Sequence, residues 1–175
     1  MNEISKGDQI LRERARRLAN RGQEDAAAQT LCRVVEVQVG DSRYALPLDQ
    51  ILEVRPLKEL TPVPGAPPEC LGLVNVRNEL RAVVDLAALL GGAVGSPSAA
   101  TGGFLIFPRP AICGERQVGL RVSAVGNVYD LNRATLSAAV GAEGSANAAR
   151  RGVSEAGISL LDLSFLFRSA KGVSR

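Results

Sequence analysis

Apolar residues along this chain recur in short runs, and glycine, proline, asparagine or aspartate closes each run. The first, residues 31–39 (LCRVVEVQV), reads as a strand. A proline-rich approach leads into a second apolar strand at 71–76, which Arg77 ends, and a third strand at 80–84 runs through Asp85 into a short helix. Together these two form a hydrophobic hairpin with one arginine at its tip. Asn78 beside it tolerates positive φ and so takes the place of glycine in the turn. Short strands punctuated in this way favour barrels or a sandwich over a parallel α/β sheet. Residues 8–21 follow a helical period instead. Leu11, Ala15, Leu18 and Ala19 share one face, and Arg12, Arg14, Arg16, Arg17 and Arg21 cover much of the rest. An amphipathic helix stopping near Gly22 is expected there, with residues 23–29 as a linker.

The pattern then repeats. GDSRYALPLDQILEV from Gly40 aligns without gaps on GERQVGLRVSAVGNV from Gly114, an offset of 74 residues. Leu46 falls on Leu120, and Leu48, Ile51 and Val54 fall on Val122, Val125 and Val128. VVDLAALL from Val83 falls on LLDLSFLF from Leu160. Each half runs turn, strand, short apolar element, later strand, aspartate, short helix, which predicts two homologous β-rich units. Between them, residues 91–103 (GGAVGSPSAATGG) form a loop with little to bury, and the small-residue stretch 137–157 interrupts the second half.

Composition narrows the function. With 175 residues, the chain has enough core for one domain or two interlocked small ones. Aromatics are 3% and tryptophan is absent, so Leu, Val, Ile and Ala must fill that core. Histidine is missing, which excludes a Ser-His-Asp or Cys-His catalytic system, a histidine metal ligand and a phosphoaccepting histidine in this chain. Cys32, Cys70 and Cys113 are widely spaced in apolar surroundings and read as buried reduced thiols, with no close pair for a metal. A net charge of +3 is too mild to argue for nucleic acid. No run approaches the ~20 apolar residues of a membrane span, and the first residues lack a signal-peptide core, so a cytoplasmic protein is expected.

Candidate chemistry is sparse. Asp85 and Asp162 each follow an apolar strand and invite a two-carboxylate hydrolase reading. Each also precedes an apolar helical run, where aspartate caps free amides, and capping is the better reading. The glycine clusters GGAVGS and GAEGSANA lack the Gly-Lys-Ser/Thr ending of a phosphate loop. Arg77 divides evenly between a solvated surface arginine and an anchor whose fork of donors meets partner carboxylates or carbonyls. A small nucleic-acid-binding barrel is the further alternative, and it predicts a contiguous basic face with salt-sensitive binding.

GLVNVRNELRAVVDL from Gly72, ILEV from Ile51, VGLRV from Val118 and LLDLSFLF from Leu160 resemble, in the same order, segments of CheW-like chemotaxis coupling proteins. The resemblance spans about residues 31–167. It implies an all-β fold of two five-stranded Src-homology-3-like barrels packed together, with short helices and here an extra N-terminal helix and linker at 1–29. The domain would occupy 30–168, its first barrel mainly 40–90 and its second mainly 103–168, with a tail at 169–175. It further implies a non-enzymatic scaffold, mostly monomeric alone and without cofactor, metal or membrane insertion. Such a scaffold joins the cytoplasmic tip of chemoreceptors to a CheA-type histidine kinase. Ile51, Glu53 and Val54, expected on a short helix, together with Gly72, Asn75 and Arg77, match the partner-binding positions. Asn78 stands where the family has glycine, the usual proline of the next strand is absent, and Arg151-Gly152-Val153 is the remnant of a loop motif. These departures leave room for a related pathway controlling pili, surface motility or gene expression.

Overall fold

The computed structural model describes residues 30–92, 102–114, 118–138 and 148–169. Among them, the strands are β1 (Leu31–Val39), β2 (Ser42–Pro47), β3 (Ile51–Pro56), β4 (Cys70–Val76), β5 (Glu79–Asp85), β6 (Phe104–Pro108), β7 (Val118–Val122), β8 (Ala124–Asn132), β9 (Arg150–Val153) and β10 (Ser159–Leu161). Short helices α1 (Leu86–Leu89), α2 (Pro110–Cys113) and α3 (Leu163–Ser169) follow β5, β6 and β10. The expected helix at 8–21 and most of the loop at 91–103 lie outside the described residues.

The strands form two five-stranded sheets, ordered β8-β1-β2-β10-β9 and β3-β6-β7-β5-β4. The internal repeat is written into this topology. Advancing every strand of the first half by five positions turns β1-β2 into β6-β7, β3 into β8, and β4-β5 into β9-β10, and each neighbour relation is preserved. The one parallel contact in each sheet obeys the same rule: β10 runs parallel to β2, and β7 runs parallel to β5. Each half of the chain therefore gives two strands to one sheet and three to the other. This corrects the expected division into a first barrel at 40–90 and a second at 103–168. Sheet two joins β3, β4 and β5 to β6 and β7, and sheet one joins β1 and β2 to β8, β9 and β10.

Burial explains why the halves interlock. In β1, Cys32 and Val34 point into one cluster with Ala45, Leu131 and Leu160, inside sheet one. The alternate residues Val35, Val37 and Val39 point into a second cluster shared with Ile51, Ile106, Leu120 and Val122 of sheet two. β6 does the same from its side, with Leu105 and Phe107 inside sheet two and Ile106 in the shared cluster. A strand covered on both faces needs apolar residues at nearly every position, which FLIFP supplies, whereas β1 buries Cys32, Val34, Val35, Val37 and Val39 and leaves Arg33 and Gln38 exposed. Helices α1 and α3 seal the shared core with Leu86, Leu163, Leu166 and Phe167.

Residues 51–54, expected as helix, form the start of β3, preceded by a 3-10 turn at Leu48–Gln50. The β-branched and alternating side chains of ILEV suit a strand, and β3 lies at a sheet edge, where Pro56 leaves no ladder donor missing. The other hairpin expectations hold, with β4 starting one residue earlier and β5 one residue longer at each end.

Each sheet is drawn towards closure by one isolated bridge, Thr61 to Leu73 in sheet two and Ser137 to Val153 in sheet one. A glycine precedes each bridged strand residue. At Gly72 (φ +149°) an added Cβ would lie 2.4 Å from the Thr61 carbonyl oxygen, and at Gly152 (φ +156°) it would lie 2.8 Å from the Cβ of Leu136. The Arg151-Gly152-Val153 remnant is thus the second repeat's version of the Gly72 crossing.

Asp85 and Asp162 both cap helices. Asp85 Oδ1 accepts from the Ala87 N–H at 3.0 Å, and the buried carboxylate faces Arg121 at 3.9 Å. Asp162 accepts from the N–H of Ser164 at 2.9 Å, from the Ser164 hydroxyl and from Arg151 Nε at 3.0 Å. Gln50 ties this cap to the first half, its Oε1 accepting from the Leu163 N–H at 2.8 Å while its Nε2 donates to Asp162 at 3.3 Å. Burial by itself pushes the Asp162 carboxyl up, but bonds from Ser164, Arg151 and the Phe165 amide outweigh it and hold the pKa at about 2.

Gly72→Ala is expected to destabilise the fold by about 2–3 kcal/mol, because positive φ and a backbone clash coincide there. A urea midpoint equal to that of the parent protein would show that the Thr61 crossing is not tight. Asp162, usually at 3.8, adds stability that is complete above that pH and lost as pH falls towards 2. With Arg151 half-exposed and screened, the loss is on the order of 1 kcal/mol. Urea melts at pH 5 and pH 2.5 should therefore show a smaller acid loss for Asp162→Asn than for the parent, and equal losses would dismiss the cap as the acid-sensitive group.

Candidate functional site

The hairpin β4–β5 turns on Arg77 and Asn78, both at positive φ (54° and 66°). Two successive residues in that region are what a tight turn matching strand twist requires, and asparagine tolerates it better than arginine. The register closes the hairpin with Val76 opposite Glu79, followed by Asn75 opposite Leu80 and Val74 opposite Arg81. Val74 and Val76 are buried, while Asn75 and Leu80 face solvent, Leu80 at 70% exposure. A well-packed inner face thus holds an exposed outer face and an arginine tip.

Arg77 projects with its side chain 74% exposed and donates from Nη2 to Glu53 on β3 at 2.9 Å. Glu53 is itself only 18% exposed, and its other oxygen lies 3.8 Å from Arg81. Arg81 donates onward to Glu79 at 3.0 Å, and its guanidinium lies 5.1 Å from the centre of the Phe107 ring. Four alternating charges, Arg77, Glu53, Arg81 and Glu79, therefore run from β3 across the mouth of the hairpin. Arg81 is largely buried and its Nε has no hydrogen-bond partner among the described residues, so ring stacking on Phe107 compensates part of its desolvation.

Of the six positions expected at the partner surface, Val54, Asn75 and Arg77 are exposed and Glu53 is half-buried. Glu53 and Arg77 are joined directly, Asn75 lies two residues before Arg77 on β4, and Val54 is exposed on the opposite face of β3 from Glu53. Ile51 is in the shared core, and Gly72 is buried beneath Thr61. Both are packed inside the molecule, Ile51 at the start of β3 and Gly72 at the Thr61 crossing. Sequence reasoning missed Arg81 and Glu79. The available signal was a charged pair two residues apart within a strand whose alternate positions are apolar.

No group of three or more potential metal ligands occurs among the described residues. All three cysteines are free, Cys32 and Cys113 buried and Cys70 half-buried. Burial pushes the Cys113 thiol above its usual range, which keeps it protonated and unreactive. The carboxylates of Asp85 and Asp162 are engaged by helix amides and arginines, so neither is positioned as a general acid or base.

Residues 33–171 match the CheW-like domain family. The chain is 28% identical over 118 residues to the chemotaxis protein CheW of Rhizobium meliloti (strain 1021), covering 67% of this chain and 67% of that protein. Its fold is similar to that of the scaffolding protein TtCheW from Thermoanaerobacter tengcongensis, with a TM-score of 0.62 at 21% identity over 78% of this chain and 87% of that one. The hairpin site and the two sheets, apart from the first two residues of β1, lie within the matched residues, and the chain belongs to the CheW-like domain family.

Proposed function

We propose that this protein is a non-enzymatic adaptor that couples chemoreceptors to a CheA-type histidine kinase in a chemotaxis-type signalling system, working in the cytoplasm. The observation that carries this reading is Arg77. An exposed guanidinium is held at the tip of a rigid hairpin by a carboxylate on a neighbouring strand, with no reactive group beside it. Such a group offers directional hydrogen bonds to another protein's carboxylates or carbonyls. Its exposed ion pair contributes little to folding, because solvent and salt screen it. Selection of an arginine in a strained turn is then better explained by binding than by stability. Among the described residues no helix is long and apolar enough to cross a membrane.

Coupling follows from differential contact. If receptor and kinase meet the adaptor differently in their two signalling states, a small receptor movement shifts kinase activity through the shared scaffold. Mass spectrometry of proteins that co-purify with the full chain from its own cells should find a histidine kinase bearing the same kind of domain. Calorimetry with that kinase should show Arg77→Ala losing about 2 kcal/mol of binding, or roughly 30-fold in affinity. Circular dichroism and the urea midpoint should stay near those of the parent protein. Glu53→Lys should weaken binding as well, by releasing and repelling Arg77. Full binding by a folded Arg77→Ala protein would remove this hairpin tip from the interface.

A further inference from the structure

We propose that the open seam between β4 and the segment following β3 is a docking groove for an extended, acidic segment of a partner protein, which adds as a strand to the edge of β4 at Asn75. This deepens the adaptor reading of the same hairpin, which it relies on only for the protein that supplies the segment.

The seam begins where the closing bridge ends. At the outer edge of β4, Leu73 donates to Thr61 at 2.8 Å and accepts from it at 2.9 Å. Strand alternation turns the N–H and C=O of Asn75, two residues on, to the same edge. The next antiparallel rung would set Asn75 against Glu59, but the chain diverges there and no backbone group among the described residues meets Asn75. The divergence leaves a groove of about 470 Å³, floored by Leu57, Val76 and Leu105 and rimmed by Arg55, Lys58 and Arg77. One ladder rung is thus made, the next is vacant, and the space beside it is lined by side chains of the sheet-two core.

Charge selects the occupant. Arg55 and Lys58 make no ion pair among the described residues, and Arg77 has one carboxylate partner at an exposed site. Among the described residues, Glu59 is the only acidic one lining the groove. A strand carrying carboxylates at alternate positions could place them towards these three cations while its backbone pairs with Asn75. Main-chain bonds then give affinity and alternate side chains give specificity. A basic segment would meet three like charges.

The test uses the full-length protein and a blocked peptide of about seven residues alternating glutamate and threonine, with a lysine-for-glutamate peptide as control. Nuclear magnetic resonance titration should show saturable binding of the glutamate peptide alone, slowed exchange of the Asn75 amide, and weakening with added salt. Lys58→Glu, on an exposed segment, should leave the spectrum folded and reduce affinity about tenfold. The proposal is overturned by absent binding, by equal binding of the lysine peptide, or by binding that leaves Asn75 and Lys58→Glu without effect. Slow Asn75 exchange in the peptide-free protein would assign the edge to this chain itself or a second copy, and would also overturn it. Peptide binding without kinase binding would sink the adaptor reading alone, and kinase binding lost in Arg77→Ala without peptide binding would sink the seam alone.

Discussion

The pairing of β2 with β10 and of β5 with β7 holds this molecule together, because each parallel contact joins strands from different halves of the chain. Parallel neighbours cannot be linked by a tight turn and must come from distant sequence. Neither repeat can complete a sheet alone: the first would leave β1 and β2 without β8 and β10, and the second would leave β6 and β7 without β3 and β5. The shared core of Val35, Val37, Leu46, Ile106 and Leu120 exists only when both are assembled. The Gln50 bridge to the α3 cap adds a polar link between the same two halves. Stability is therefore a property of the whole interlocked unit, and the surface can carry exposed strand edges and strained turns on that support.

The hairpin shows how this support positions an exposed side chain. Phe107 lies inside sheet two and stacks under Arg81, which faces Glu53, which receives Arg77. The order from buried ring to exposed guanidinium sets the tip relative to the core through contacts that are individually weak. The exposed pair at the end of this series is screened, so its worth lies in presenting a cation in one direction rather than in holding the fold.

Much of this architecture was legible in the sequence. The short apolar runs located β1, β4 and β5, and the offset of 74 residues between Gly40 and Gly114 disclosed a duplication that the strand order bears out. Aspartates before apolar helical runs gave the two caps, and Asn78 gave the positive-φ turn. What was not legible is long-range. A linear repeat does not say which half's strands pair together, so the barrels were expected in sequence order although the strands are exchanged. Residues 51–54 resembled a helical motif because so short an apolar run has no decisive period, and only pairing with β6 makes it a strand. Of the site, Arg77 was visible as the arginine at the tip of an apolar hairpin. Its tie to Glu53, 24 residues earlier, and the burial of Ile51 and Gly72 depend on packing that local pattern does not encode.

The central claim is that the Arg77 hairpin is where this protein meets its signalling partners. Hydrogen–deuterium exchange on the full chain, free and in complex with the histidine kinase recovered from its own cells, addresses that directly. The account predicts slowed exchange concentrated in residues 72–81 and 53–59. A stable complex in which those segments exchange as in the free protein, with protection elsewhere, would contradict it.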